Sequence, residues 1–155
     1  MKIKVGLCGA GQFGTCFVPV FQRHPDVAEV YLADVIPDRL AREAARFGVT
    51  KTFDSLEALC RSDCDCVALF TQRWLHGPQA VHALKAGKHV YSAVPAGVTL
   101  EELGELVDTV KSTGLIYMLG ETSYYRAQTT FCRDKFAAGE FGEFVYGEGQ
   151  YHHDM

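Results

Sequence analysis

Several things are missing from this sequence, and each absence narrows what it can be. The opening run MKIKVGLCGAG is short and broken by Gly6 and Gly9, and no later segment nears the roughly 20 apolar residues of a spanning helix. Neither a membrane span nor an export signal is therefore expected, and a cytoplasmic protein is the default. Lys and Arg are scattered without a basic block, and the formal charge is −4, so no nucleic-acid or anionic-membrane partner is expected. Repeats, low-complexity tracts and long linkers are absent as well.

A second pair of metal-ligand cysteines is also lacking. Cys60, Cys64 and Cys66 cluster, but zinc sites commonly need two separated pairs, so no metal site is expected. Without export, all six cysteines are expected as reduced thiols. Cys64 and Cys66 open the apolar run CDCVALF, where cysteine acts as a small buried hydrophobe.

What is present is an alternation of strand-like and helix-like segments. The 155 residues, 48% of them apolar, are enough for a domain with a real core. Strands are expected at 2–8, 27–34, 51–53, 66–71, 88–93 and 115–120, mostly as continuous apolar runs covered on both faces. Helices are expected at 37–48, 75–87 and 99–114. The first begins at Pro37 and stops at Gly48; the last has Thr99 and Glu102 in capping-box spacing. Leu100, Leu103, Val107 and Val110 are expected as its inward face. Pro19 falls inside the helix expected after the first strand and should break it. Short connections between such units imply a doubly wound, mostly parallel, Rossmann-like α/β sheet. After a helix near 127–138, FVYGEGQYHHDM (144–155) alternates like a strand with one exposed face.

The segment Gly9-Ala10-Gly11-Gln12-Phe13-Gly14 is a GxGxxG pattern between a strand and a helix. Gly9 permits the tight turn, Gly11 lets a pyrophosphate approach the backbone, and Gly14 allows close packing of helix on strand. Asp34 ends the second strand about 20 residues on, where a carboxylate can accept hydrogen bonds from ribose hydroxyls. It would repel a 2′-phosphate, and Val35, Ile36 and Pro37 bring no arginine immediately after it. NAD is expected as cofactor, with NADP less favoured.

These features, with FTQRWLHGPQAVHALKAGKHVYSAVPAGVTLEE (70–102) and GEFGEFVYGEG (139–149), resemble the N-terminal domain of the Gfo/Idh/MocA oxidoreductases. The resemblance implies hydride transfer between a nicotinamide and a sugar, inositol or other polyol-like small molecule. It implies cofactor contacts from Thr71 and His76, although Gln72 and Arg73 stand where that family has Pro and Asn. It also implies a fifth strand ending in Glu-Lys-Pro, and here the tip reads Ala93-Val94-Pro95. Pro95 remains, while Val94 has no group to carry a proton. No catalytic residue is thus assigned within the chain.

Glu121, at the end of the sixth strand, is a further candidate cofactor contact. Tyr124 and Tyr125 follow it and are expected to pack. His152 and His153 point to opposite faces of a strand and cannot readily share one ion. Residues 1–120 are expected as the dinucleotide-binding domain, and 121–155 as the connection and first strand of a truncated substrate domain. By the resemblance, that missing domain supplies the catalytic groups and a sheet through which copies associate. Two alternatives stay open: an NAD-binding sensor or scaffold without catalysis, and a two-domain imine or aldehyde reductase.

Overall fold

A computed structural model describes residues 2–150 and His152. Six strands are laid down in the order β1 (Ile3–Cys8), β2 (Val27–Ala33), β3 (Thr52–Phe53), β4 (Cys66–Leu69), β5 (His89–Ala93) and β6 (Tyr117–Gly120). They form one parallel sheet in the spatial order β3-β2-β1-β4-β5-β6. The fold is therefore the expected doubly wound Rossmann-like α/β class. Chain order reverses between β1 and β4, which makes the crevice at their carboxyl ends the switch point.

Strand alternation explains why both faces are covered. Val5, Leu7, Val30, Leu32, Ala68 and Phe70 enter one buried layer, and their neighbours Cys8, Tyr31, Ala33, Val67 and Leu69 enter the other. A period of two thus divides each apolar run between two cores. Cys8, Cys60 and Cys64 are buried among these residues. Burial pushes the Cys8 thiol up to about 12 and those of Cys60 and Cys66 up to about 11.

The helices form where their end signals stand. The stretch after β1 splits into α1 (Gln12–Thr15) and α2 (Val18–Arg23), with Pro19 in the first turn of α2, where its missing N–H costs nothing. α3 (Pro37–Phe47) ends on Gly48 at φ 65°. α4 (Leu56–Cys60) is capped by the Ser55 hydroxyl, and α5 (His76–Lys85) buries Val81 and Leu84. In α6 (Leu100–Thr113) the Thr99 hydroxyl accepts the Glu102 N–H at 3.2 Å. The Glu102 carboxylate reaches back to the Val98 N–H rather than to Thr99, at 2.8 Å.

One expectation about α6 is corrected. Leu106 and Thr109 are its buried residues, while Leu100 is 82% and Val107 49% exposed. The inward stripe runs through Leu103, Leu106 and Val110, because Leu106 packs into the core below α5 and rotates the helix by a fraction of a turn.

The chain divides into two compact units, the first ending at Gly120 and the second starting at Glu121. Within the second, a 3₁₀ turn (Ser123–Tyr125) precedes α7 (Ala127–Ala137). Residues 142–150 form no strand, so the alternating segment from Phe144 lacks ladder pairing over its described part. Among the described residues no helix is long and apolar enough to cross a membrane.

The core gives a direct test. Leu84 on α5 is fully buried. Leu84→Ala should cost about 2–5 kcal/mol in urea unfolding with an unchanged m-value, and a loss under 1 kcal/mol would mean that this layer repacks.

Candidate functional site

Four of the strand-end segments named from sequence converge at the carboxyl edge of the sheet in the first unit. The turn leaving β1 is built by close approaches. Gly9 has φ 105°, and a Cβ there would lie 2.5 Å from the Phe70 carbonyl oxygen. A Cβ on Gly14 would collide with the Gly9 carbonyl and stand 2.9 Å from Phe70 Cβ. Both glycines are thus dictated by internal packing. Gly11 is different: a Cβ there would meet no atom within 4 Å. Its bare backbone faces open space, and it lines a cleft of about 450 Å³ on one side and a groove of about 610 Å³ on the other.

Gln12 and Phe13 follow on α1, both exposed. The Phe13 ring leans edge-on against Phe17 and Phe70, with centroids at 5.2 and 5.9 Å. The first-turn N–H groups of α1 have no intrahelical acceptor and point outward at the helix start.

Asp34 lies just past the end of β2 and is 5% exposed. Its Oδ2 accepts the Ala10 N–H at 2.7 Å, and its Oδ1 accepts the Ile36 N–H at 2.8 Å. Arg39 completes the arrangement with a two-pronged bond, Nε to Oδ2 at 2.9 Å and Nη2 to Oδ1 at 2.7 Å. Burial pushes this carboxyl group up. The Arg39 bonds, then the Ile36 and Ala10 N–H groups, more than offset that and hold it below its ordinary value of 3.8.

Sequence reasoning missed Arg39, because only the three residues after Asp34 were weighed against a 2′-phosphate. The available signal was Pro37 as a helix start. It puts Arg39 in the first turn of α3, and helical side chains lean toward the N-terminus, back to the strand end.

The opposite wall comes from the ends of β4 and β5. Thr71 donates its hydroxyl to Gln79 Oε1 at 2.5 Å and lines the cleft with Gln72 and Leu75. His76 is 2% exposed, with Nδ1 2.9 Å from the Pro95 carbonyl oxygen and Nε2 3.1 Å from that of Thr71. The ring therefore ties the two loops together from behind. The Val94–Pro95 peptide is cis, and Val94 is 44% exposed at the tip.

The remaining candidates belong to the second unit. The Glu121 carboxylate accepts the Ser123 N–H at 2.7 Å, capping the 3₁₀ turn. Tyr124 and Tyr125 pack edge to face at 5.0 Å, with Arg133 over the Tyr124 ring. His152 is exposed beside Gln150, and His153 lies outside the described residues. Among the described residues no group of three or more metal-ligating side chains comes together.

The depressed value of Asp34 has a pH consequence. Its stabilising contribution is complete above the unfolded value of about 3.9 and is lost as pH falls through the lower folded value. In urea unfolding, the advantage of wild type over Asp34→Asn should be largest near pH 7 and shrink below about pH 4. A difference independent of pH would remove the carboxylate charge from the account.

Comparison with known proteins bears on the family and the fold. Residues 3–121 match the family model described as "Oxidoreductase family, NAD-binding Rossmann fold". A glycosyl hydrolase family 109 protein of Shewanella amazonensis is 32% identical, over 99% of this chain and 36% of its own length. Scyllo-inositol dehydrogenase from Lactobacillus casei, solved with NAD(H) and scyllo-inositol, superposes with a TM-score of 0.86 at 23% identity. That match covers 92% of this chain and 43% of the other. The WlbA dehydrogenase from Bordetella pertussis, solved with NADH and UDP-GlcNAcA, gives 0.84 at 26% identity, covering 92% and 44%. The chain thus spans less than half the length of the relatives it matches. With the family model covering residues 3–121, the chain belongs to the Gfo/Idh/MocA oxidoreductases.

Proposed function

We propose that residues 1–120 bind NAD(H) at the glycine turn and that 121–155 lead into a substrate domain of an oxidoreductase acting on a sugar-like or polyol-like molecule. Gly11 carries the reading. The fold does not need a glycine there, yet its absent Cβ leaves backbone open to the cleft, as a pyrophosphate requires. Asp34 stands beside it with the charge that receives ribose hydroxyls, and Gln12 and Phe13 present first-turn N–H groups to the phosphates. Thr71 and Pro95 border the path toward the nicotinamide, and His76 acts by holding their loops in place. Glu121 is the further contact expected from the end of β6.

The nicotinamide supplies or receives the hydride when bound, and the protein's part is to orient it, exclude water and manage the proton. The residues of this unit fit the first task. Val94 cannot perform the last, so the proton-handling group belongs to the substrate domain, whose sheet is also the proposed surface for association of copies. Six free cysteines support a reducing, cytoplasmic setting.

A second reading is a nicotinamide-dependent glycoside hydrolase, a class that works without the usual carboxylate pair. The similarity to glycosyl hydrolase family 109 proteins over 99% of the chain favours it. Assays of the complete protein separate the two. Net NADH formation or consumption with polyols or keto-sugars supports the dehydrogenase. Sugar release from nitrophenyl glycosides without net NADH change supports the hydrolase, and neither activity would leave a non-catalytic NAD-binding protein.

Binding is testable on this chain by NADH fluorescence. Gly11→Ala should melt within about 1 °C of wild type yet weaken NADH by tenfold or more, because the new methyl enters the phosphate path. Asp34→Ala should lose about 1–3 kcal/mol of NADH binding. Equal affinity in both variants would place the nucleotide elsewhere.

A further inference from the structure

His76 is buried at the start of α5, and each of its ring nitrogens faces a carbonyl oxygen, Nδ1 that of Pro95 and Nε2 that of Thr71. A carbonyl oxygen only accepts, so each contact is a hydrogen bond only where the ring nitrogen carries a proton. A neutral imidazole has one such proton. In that form the other nitrogen would aim its lone pair at the lone pairs of a carbonyl about 3 Å away, which is repulsive. The imidazolium form, with an N–H on both nitrogens, satisfies both contacts at once.

A buried cation needs hydrogen bonds and an opposite charge nearby. Glu102 on α6 brings that charge to the junction. Its Oε2 lies 3.1 Å from where a Cβ on Gly77 would stand and 3.2 Å from where one on Gly97 would. The carboxylate thus sits between the residue after His76 and the loop that carries Pro95, held there by the Val98 N–H. The other surrounding elements bring less charge. Arg73, in the 3₁₀ turn Arg73–Leu75, and His82 on α5 are both exposed. Glu57 on α4 is exposed on the cleft side, and Cys8 at the end of β1 is a neutral thiol. Gln79 on α5 and Ser92 on β5 are uncharged.

We propose that His76 is a proton-dependent positioning residue: its doubly protonated ring ties the loops after β4 and β5 together, and loss of one ring proton releases one loop and loosens the nicotinamide end of the cleft. This rests on the reading of the cleft as the nucleotide site. The ring lies behind those loops, so it acts through Thr71 and Pro95. The sign follows from the proton count: both bonds are present at low pH, and one is lost as pH rises. A histidine that merely filled space would leave nucleotide affinity indifferent to its protonation.

Nitrogen NMR of the ring-labelled chain and NADH fluorescence titrations, each run from about pH 6 to about pH 9 on wild type and His76→Gln, test this. At the acid end the His76 ring, identified by its loss from the variant spectrum, should carry N–H on both nitrogens. Toward the alkaline end one nitrogen should become bare. NADH affinity should fall about three- to tenfold over the same interval, the worth of one hydrogen bond, and stay level in His76→Gln. A ring with one bare nitrogen at every pH would overturn the proposal, as would a ring that keeps both protons throughout or parallel NADH profiles in the two proteins. Should His76→Gln fail to fold, Glu102→Gln decides, because it keeps an acceptor for the Val98 N–H and removes the charge. Both profiles should then move to lower pH, and profiles that stay in place overturn the proposal. A ring that titrates as expected in a chain that binds no NADH upholds the proton-dependent clamp and overturns the nucleotide-site reading.

Discussion

Asp34 joins the glycine turn, the end of β2 and the first turn of α3 through one carboxylate, and the geometry of the cleft depends on that junction. A charge this deeply buried persists only when paired and fully hydrogen-bonded. The four donors meet that condition, and each comes from a segment the site needs in place. The Ala10 N–H is held to Asp34 while the Gly9 N–H bonds to the Ala33 carbonyl at 2.9 Å, so the turn is pinned to β2 along its length. With the turn pinned, Gly9 and Gly14 can press against Phe70 without room for a side chain. The open backbone at Gly11 is then a consequence of fixed neighbours on both sides.

The facing wall is held by His76. His76 sits behind the loops after β4 and β5 and bridges the carbonyl groups of Pro95 and Thr71. Parallel strands bring these loops to the same edge as the glycine turn, and the reversal between β1 and β4 leaves the gap between them. One wall therefore carries concentrated charge and the other mainly uncharged groups. Such a cleft suits a ligand that is polar at one end and must be kept dry at the other.

Much of this was legible in the sequence wherever the determinants are local. Apolar runs bounded by turn residues located all six strands. Thr99, Gly48 and Pro19 marked helix ends through backbone chemistry that acts within a few residues. The glycine turn and Asp34 were readable because each residue type has a steric or electrostatic reason at that spacing. What escaped depends on contacts between elements. The inward stripe of α6 was set by how Leu106 docks, which its own periodicity leaves ambiguous by a fraction of a turn. Arg39 escaped because its partner lies across a helix start. A lone histidine opening α5 reads as a surface residue until two loops from other strands close over it.

The distribution of charge across this unit bears on the proposed hydride chemistry. Of the charged groups that line the cleft, Asp34 and Arg39 sit at the glycine-turn end and are bonded to each other, and Glu57 lines it as well. Val94, at the β5 tip, has only a hydrocarbon side chain, and His76 behind it is spent on two carbonyl groups. Orientation of a dinucleotide needs fixed donors and a snug backbone, and those are present. Proton transfer needs a titratable group free to exchange, and the strand tips of this unit hold none in that state. The proposed hydride chemistry would therefore draw its acid or base from outside this unit. That separation is consistent with relatives that share this unit and carry the names of both dehydrogenases and glycosyl hydrolases.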